Sequence, residues 1–161
     1  MRALIAVSVL CGVLAVAGCA SSDTRNDYAP ETMSVIMGRT GLVGGQQEGI
    51  LIAADGRVTE WSGRSVGQNP QDRGFISESQ GDSIWVWIQE LDFWNRATQP
   101  RMGAGAGAGA GAGSASRFIS VTVADSTRRA SWAAPKPDGP ELEGAGPELY
   151  ARISAMLDGM K

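Results

Sequence analysis

The chain has 161 residues, no histidine, two cysteines, 43% hydrophobic residues and a formal net charge of −3. That length holds one domain and hardly two. The missing histidine removes Ser-His-Asp and Cys-His catalysis and every zinc motif that needs histidine, and the negative balance argues against a nucleic-acid partner, which needs a basic face.

Met1-Arg2 is followed by an almost wholly apolar run from Ala3 to Val16 and then by small residues. A basic start, a short apolar run and small residues form the pattern of a secretory signal. The run is shorter than the roughly 20 apolar residues of a comfortable membrane span. Its last four residues, Val16-Ala17-Gly18-Cys19, resemble the lipobox of bacterial lipoproteins. The resemblance implies a diacylglycerol on the Cys19 thiol, cleavage between Gly18 and Cys19, and Cys19 as the mature N-terminus with a further acyl chain on its amine. Residues 1–18 are then a lipoprotein signal peptide, and the partner is a membrane. Two or three acyl chains hold a protein firmly where one does so only marginally. In this family an aspartate after the cysteine retains the protein at the inner membrane. Ala20 stands there instead, which implies the periplasmic face of the outer membrane in a Gram-negative host. Cys11 leaves with the signal and Cys19 is taken by lipid, so no disulfide, thiolate metal site or cofactor is expected.

Residues 19–32 are polar and small, and read as the lipidated cysteine and a flexible tether. Residues 33–161 read as a single α+β domain. Met33, Val35 and Met37 alternate with Ser34, Ile36 and Gly38, the period of a strand. Gly41 to Gly45 is a glycine-rich turn; no Lys-Ser/Thr pair follows, so it fails as a phosphate loop. Asp55-Gly56 lies between the strand-like runs 49–54 and 57–62 and predicts a two-residue hairpin turn. That register pairs Ile50 with Trp61 and Ile52 with Thr59, and turns those four toward the core. Residues 63–81 read as a long loop, with Phe75-Ile76 as a docking plug.

Ile84, Trp87, Ile88 and Leu91 fall at helical spacing within 82–94, with a capping start at Ser79 and Asp82. The tryptophans of this stretch read as core rather than as a stacking platform. Gly-Ala alternation from Gly103 runs into Ser114-Ala115-Ser116. It resembles silk repeats, but one tract without large side chains predicts a disordered insertion at 103–116. Residues 117–124 alternate as a strand, Asp125-Ser126-Thr127 turns, and 128–133 return. Pro135, Pro137 and Pro140 exclude regular structure after that. Pro147 opens a last helix, with Leu149, Ile153, Met156 and Leu157 as its apolar stripe and Gly159 at its end.

The resulting fold class is α+β: an antiparallel sheet of about five strands, two hairpins plus an N-terminal strand, with two helices packed on one face. Arg39-Thr40-Gly41-Leu42-Val43-Gly44, followed by this order of elements, resembles the emfourin group. Those small bacterial proteins include an inhibitor of a thermolysin-like metalloprotease, and their motif is closer to Arg-Ser-Gly-Gly-Phe-Ala-Gly. Leu42 stands where the second glycine would be and Val43 where the aromatic would be. Arg39, Leu42 and Val43 are the candidate binding loop, and an envelope protease is the candidate protein partner. The expected function is that of a membrane-anchored periplasmic binding or accessory domain without enzymatic activity. Two alternatives stay open: an envelope structural lipoprotein without a discrete ligand, and a glycan hydrolase working through paired carboxylates. For the second, the acidic candidates are Glu60, Glu78, Asp82, Glu90 and Asp92.

Overall fold

The computed structural model describes residues 27–97, 115–134 and 143–160. The lipobox with Gly18 and Cys19, the Gly-Ala run up to Ser114 and the prolines at 135, 137 and 140 lie outside the described residues.

The chain is α+β, as its pattern predicts, with six strands rather than about five. They are β1 (Ser34–Thr40), β2 (Gln47–Ile52), β3 (Arg57–Gly63), β4 (Gln71–Phe75), β5 (Ser116–Val123) and β6 (Ser126–Ala133). All pairings are antiparallel, in the order β4-β3-β2-β1-β5-β6. The helices are α1 (Glu78–Glu90), the one-turn α2 (Phe93–Arg96) and α3 (Ala145–Asp158). They cover one face. Val35, Met37, Ile52, Val58, Ile119 and Val121 of the sheet pack there with Ile84, Ile88, Phe93, Leu149, Ile153 and Leu157. Each of these fully buried side chains contributes about 1.5–3 kcal/mol over leaving it exposed.

The opposite face has its own small cluster. Trp61, Gly49, Gly38 and Phe118 form one row across four strands. Gly49 leaves room for the indole, because a Cβ there would stand 2.8 Å from Trp61 Cζ2. The Trp61 and Phe118 rings meet at 6.5 Å, and the Arg129 guanidinium lies 4.0 Å over Phe118. Burial pushes the Arg129 guanidinium below its ordinary range.

Several expectations are corrected. The β2–β3 connection is a three-residue loop: Gly56 N–H donates to Ala53 O at 2.9 Å, and Ala53 N–H donates to Arg57 O at 2.9 Å. Only Gly56 of the loop has positive φ, the geometry of a type I turn closed by a glycine bulge. The register therefore slips by one residue, to Ile50↔Glu60 and Ile52↔Val58. Thr59 and Trp61 turn to the outer face, and Val58 takes the core position.

The loop expected over 63–81 contains β4. This edge strand is polar, and its pairing with β3 shifts at Val58/Thr59, so no alternation announces it. Ile76 docks, but Phe75 stays 58% exposed. Helix α1 begins earlier than expected: Ser77 is its cap, in a reciprocal capping box with Gln80. It stops before Asp92, whose left-handed φ of 50° separates α2. The second hairpin turns at Ala124-Asp125, because Ser126 already pairs with Val123. Helix α3 starts at Ala145, two residues before Pro147, with Gly144 as its cap. Ala29 and Thr32, expected in the tether, touch the domain: Ala29 N–H donates to Asp82 at 2.8 Å, and Ala124 N–H to Thr32 Oγ1 at 3.0 Å.

Candidate functional site

A cleft of about 630 Å³ opens between the sheet and α3 on the helix-bearing face. Strand alternation builds its floor. Arg39 is in phase with Val35 and Met37, Glu48 with Ile50 and Ile52, and Arg117 with Ile119 and Val121. These charged residues continue the apolar stripes past the end of the core. Register places them in one row, Trp132–Arg117–Arg39–Glu48–Ser62, across β6, β5, β1, β2 and β3. The next row ends in Glu60 and Gln71 at the far side of the cleft.

Helix α3 supplies the wall. Pro147, Tyr150, Ala151, Ser154 and Asp158 line the cleft, spaced as one helical stripe. The neighbouring stripe of Leu149, Ile153 and Leu157 is buried in the core. The first turn of α3 lies close to β6, where Gly146 faces Ala130 and Trp132.

Inside the cleft, Arg39 donates to Glu48 Oε1 through Nε and Nη2, forming an ion pair. The Arg117 guanidinium stacks on the Tyr150 ring at 5.5 Å, and Tyr150 meets Trp132 edge-on at 5.6 Å. Burial pushes the Tyr150 phenol above its ordinary range, against the opposing pull of Arg117 and Arg39 and with a further push from Glu48. All three charges therefore act on this one hydroxyl. The arrangement presents fixed cations beside an aromatic wall, and hydroxyls from Ser62, Ser154 and Tyr150.

The candidate loop is divided by the fold. Arg39 lies on the cleft floor. Leu42 is half-buried, and Val43 is 97% exposed in a short 3₁₀ turn, Val43–Gly45, at the tip between β1 and β2. Gly41, Gly44 and Gly45 all take positive φ there. The five acidic candidates are spread over the molecule, and none of them is buried. Glu60 lines the cleft. Glu78 and Asp82 border a second hollow of about 340 Å³, beside the β2–β3 loop. Glu90 pairs with Arg152 at 2.9 Å, and Asp92 accepts from Asn95 at 2.7 Å. Among the described residues, no three His, Cys, Asp or Glu side chains gather as metal ligands, and no helix is long and apolar enough to cross a membrane.

Arg117, Tyr150 and Trp132 escaped sequence reasoning. They come from three elements: the β5–β6 register pairs Arg117 with Trp132, and the packing of α3 on the sheet brings Tyr150 against both. The signal available was a charged residue in phase with an apolar stripe. No protein-family model matches the chain, and no curated protein matches it.

Proposed function

We propose that the chain is a lipid-anchored binding domain of the bacterial envelope, without enzymatic activity, and that the cleft under α3 takes its ligand. The observation that carries this reading is the sequence Val16-Ala17-Gly18-Cys19 behind an apolar run, which resembles a lipobox at all four positions. Acyl chains on Cys19 would hold the protein at the periplasmic face of the outer membrane in a Gram-negative host. The cleft supports the binding half, with fixed charges and two aromatic rings around an open space of ligand size. Protease inhibition is a narrower form of the same reading. Val43 protrudes on a glycine-flanked tip, a shape suited to entering the active-site groove of an envelope protease.

Metabolic labelling with a fatty acid tests the anchor. Wild type should carry label and fractionate with the outer membrane, whereas Cys19→Ser should be unlabelled and released. Equal labelling of the two proteins would overturn the proposal.

A further inference from the structure

We propose that the cleft binds a carboxylate, held at the Nη edge of Arg117 while the rest of the ligand lies against Tyr150 and Trp132. This inference rests on the binding-domain reading above and names its ligand chemistry.

The argument begins with the floor row. Arg39 and Arg117 are direct cross-strand partners in β1 and β5. Like charges opposed in this way destabilise a sheet. Glu48 neutralises one of them by pairing with Arg39. Arg117 forms no ion pair or hydrogen bond among the described residues. The row therefore holds two guanidinium groups and one carboxylate, an excess of one positive charge. Arg117 is also partly buried, where an uncompensated cation is unfavourable.

Other acidic groups in the cleft are remote. Glu60 is on β3, three strands from β5, or about 14 Å across the sheet. Asp158 follows Tyr150 by eight residues in α3, about 12 Å along the helix axis. The Tyr150 phenol adds no charge near neutral pH, where an ordinary phenol is already protonated, and burial makes its ionisation harder still. A ligand bearing one negative charge completes the row.

Geometry selects a carboxylate. Arg117 Nε is enclosed and without a partner, so a ligand meets the guanidinium end-on, at its two terminal nitrogens. Their parallel N–H bonds match the two oxygens of a carboxylate. The Tyr150 ring packs against that fork, 5.5 Å from the guanidinium carbon to the ring centre. Trp132, edge-on to Tyr150, offers a flat apolar surface next to it.

The carboxylate belongs either to a small free acid or to a peptide C-terminus. The full-length chain in detergent is titrated with phenylacetate, with a short peptide ending in a free carboxylate and an aromatic side chain, with the amidated form of that peptide, and with inorganic phosphate. The NMR signals of the Trp132 indole and the Tyr150 ring report occupancy. Both carboxylates should shift these signals and saturate, and the amide should bind at least about tenfold more weakly, a difference of about 1.4 kcal/mol. Tighter binding of the peptide acid than of phenylacetate assigns a peptide C-terminus, and the reverse order assigns a free acid. Arg117→Gln should lose at least about tenfold in affinity. Arg117→Lys keeps the charge without the fork and should also bind more weakly. Near-ultraviolet circular dichroism verifies that both variants fold. Equal binding of acid and amide, preference for phosphate, or unchanged affinity in both variants would overturn the carboxylate and leave the cleft as a binding site. Absence of any shift at millimolar concentrations would remove both, while the anchor stands or falls separately on the fatty-acid label.

Discussion

Replacing Gly146 with alanine sets two effects against each other. Gly→Ala inside a helix ordinarily stabilises by up to about 1 kcal/mol, and less in a first turn such as this one. At Gly146, however, the new Cβ would stand 2.6 Å from the Ala130 Cβ and 3.2 Å from Trp132 Cζ3. Carbon atoms prefer a separation of about 3.5–4.0 Å. The Ala130 Cβ cannot rotate away, because it is fixed to the backbone of β6. The helix or the strand must therefore move, and overpacking of this kind destabilises by about 1–3 kcal/mol. The net expectation is a loss of about 1 kcal/mol, or a Tm lowered by about 4–8 °C for a domain of roughly 100 residues. Urea unfolding followed by tryptophan fluorescence measures it. Adding Ala130→Gly removes the opposing methyl, so the double variant should show a favourable coupling of about 0.5 kcal/mol or more. A Gly146→Ala protein more stable than wild type would refute the close-contact argument.

Two further outcomes are expected. Ser77→Ala should remove the Oγ acceptor of the α1 capping box and destabilise by about 1 kcal/mol in chemical denaturation, whereas Ser77→Asp should retain most of that stability; equal stability of Ser77→Ala and wild type would contradict the cap. Burial raises the folded-state pKa of Tyr150 above 10.0, so its neutral form is the one the fold favours. The associated stability is fully present below that ordinary value and is lost as pH rises through the folded value. The phenolate absorbance difference between wild type and Tyr150→Phe should therefore appear later in an alkaline titration than for an unfolded tyrosine, and an earlier appearance would contradict the buried site.

The elements legible in the sequence were those with an uninterrupted period. Val35 and Met37, with Met33 just ahead of the strand, mark the inner face of β1, and Leu149, Ile153 and Leu157 that of α3; all six are buried. What escaped depended on partners distant in the chain or on a local choice of one residue. Asp55-Gly56 announced a hairpin, but the Asp55 carboxylate accepts from Arg57 N–H at 3.0 Å in a three-residue loop, and one extra loop residue inverts a strand. Trp61 consequently faces away from the helices. β4 carries Gln71, Asp72 and Arg73, residues that look like loop until β3 offers them a ladder. The site is half legible: Arg39 stands out beside the glycine-rich turn, but the residue opposite it, Arg117, lies beyond the whole Gly-Ala stretch. The phase of these arginines was informative. A cation in register with a buried stripe is out of place in a core, so it marks where that core gives way to a lined opening.

β6 forms one margin of the sheet, eight residues long and without a shift in its pairing. Among the described residues no further strand pairs with its outer edge, and such an edge invites another copy to zip onto it. Arg128 and Arg129 project to opposite sides of this rim, one above Trp94 and the other above Phe118. Two such rims meeting antiparallel about these residues would crowd a pair of guanidinium groups on each side. The same two side chains that cover aromatic rings within one molecule would thus disfavour that mode of self-pairing.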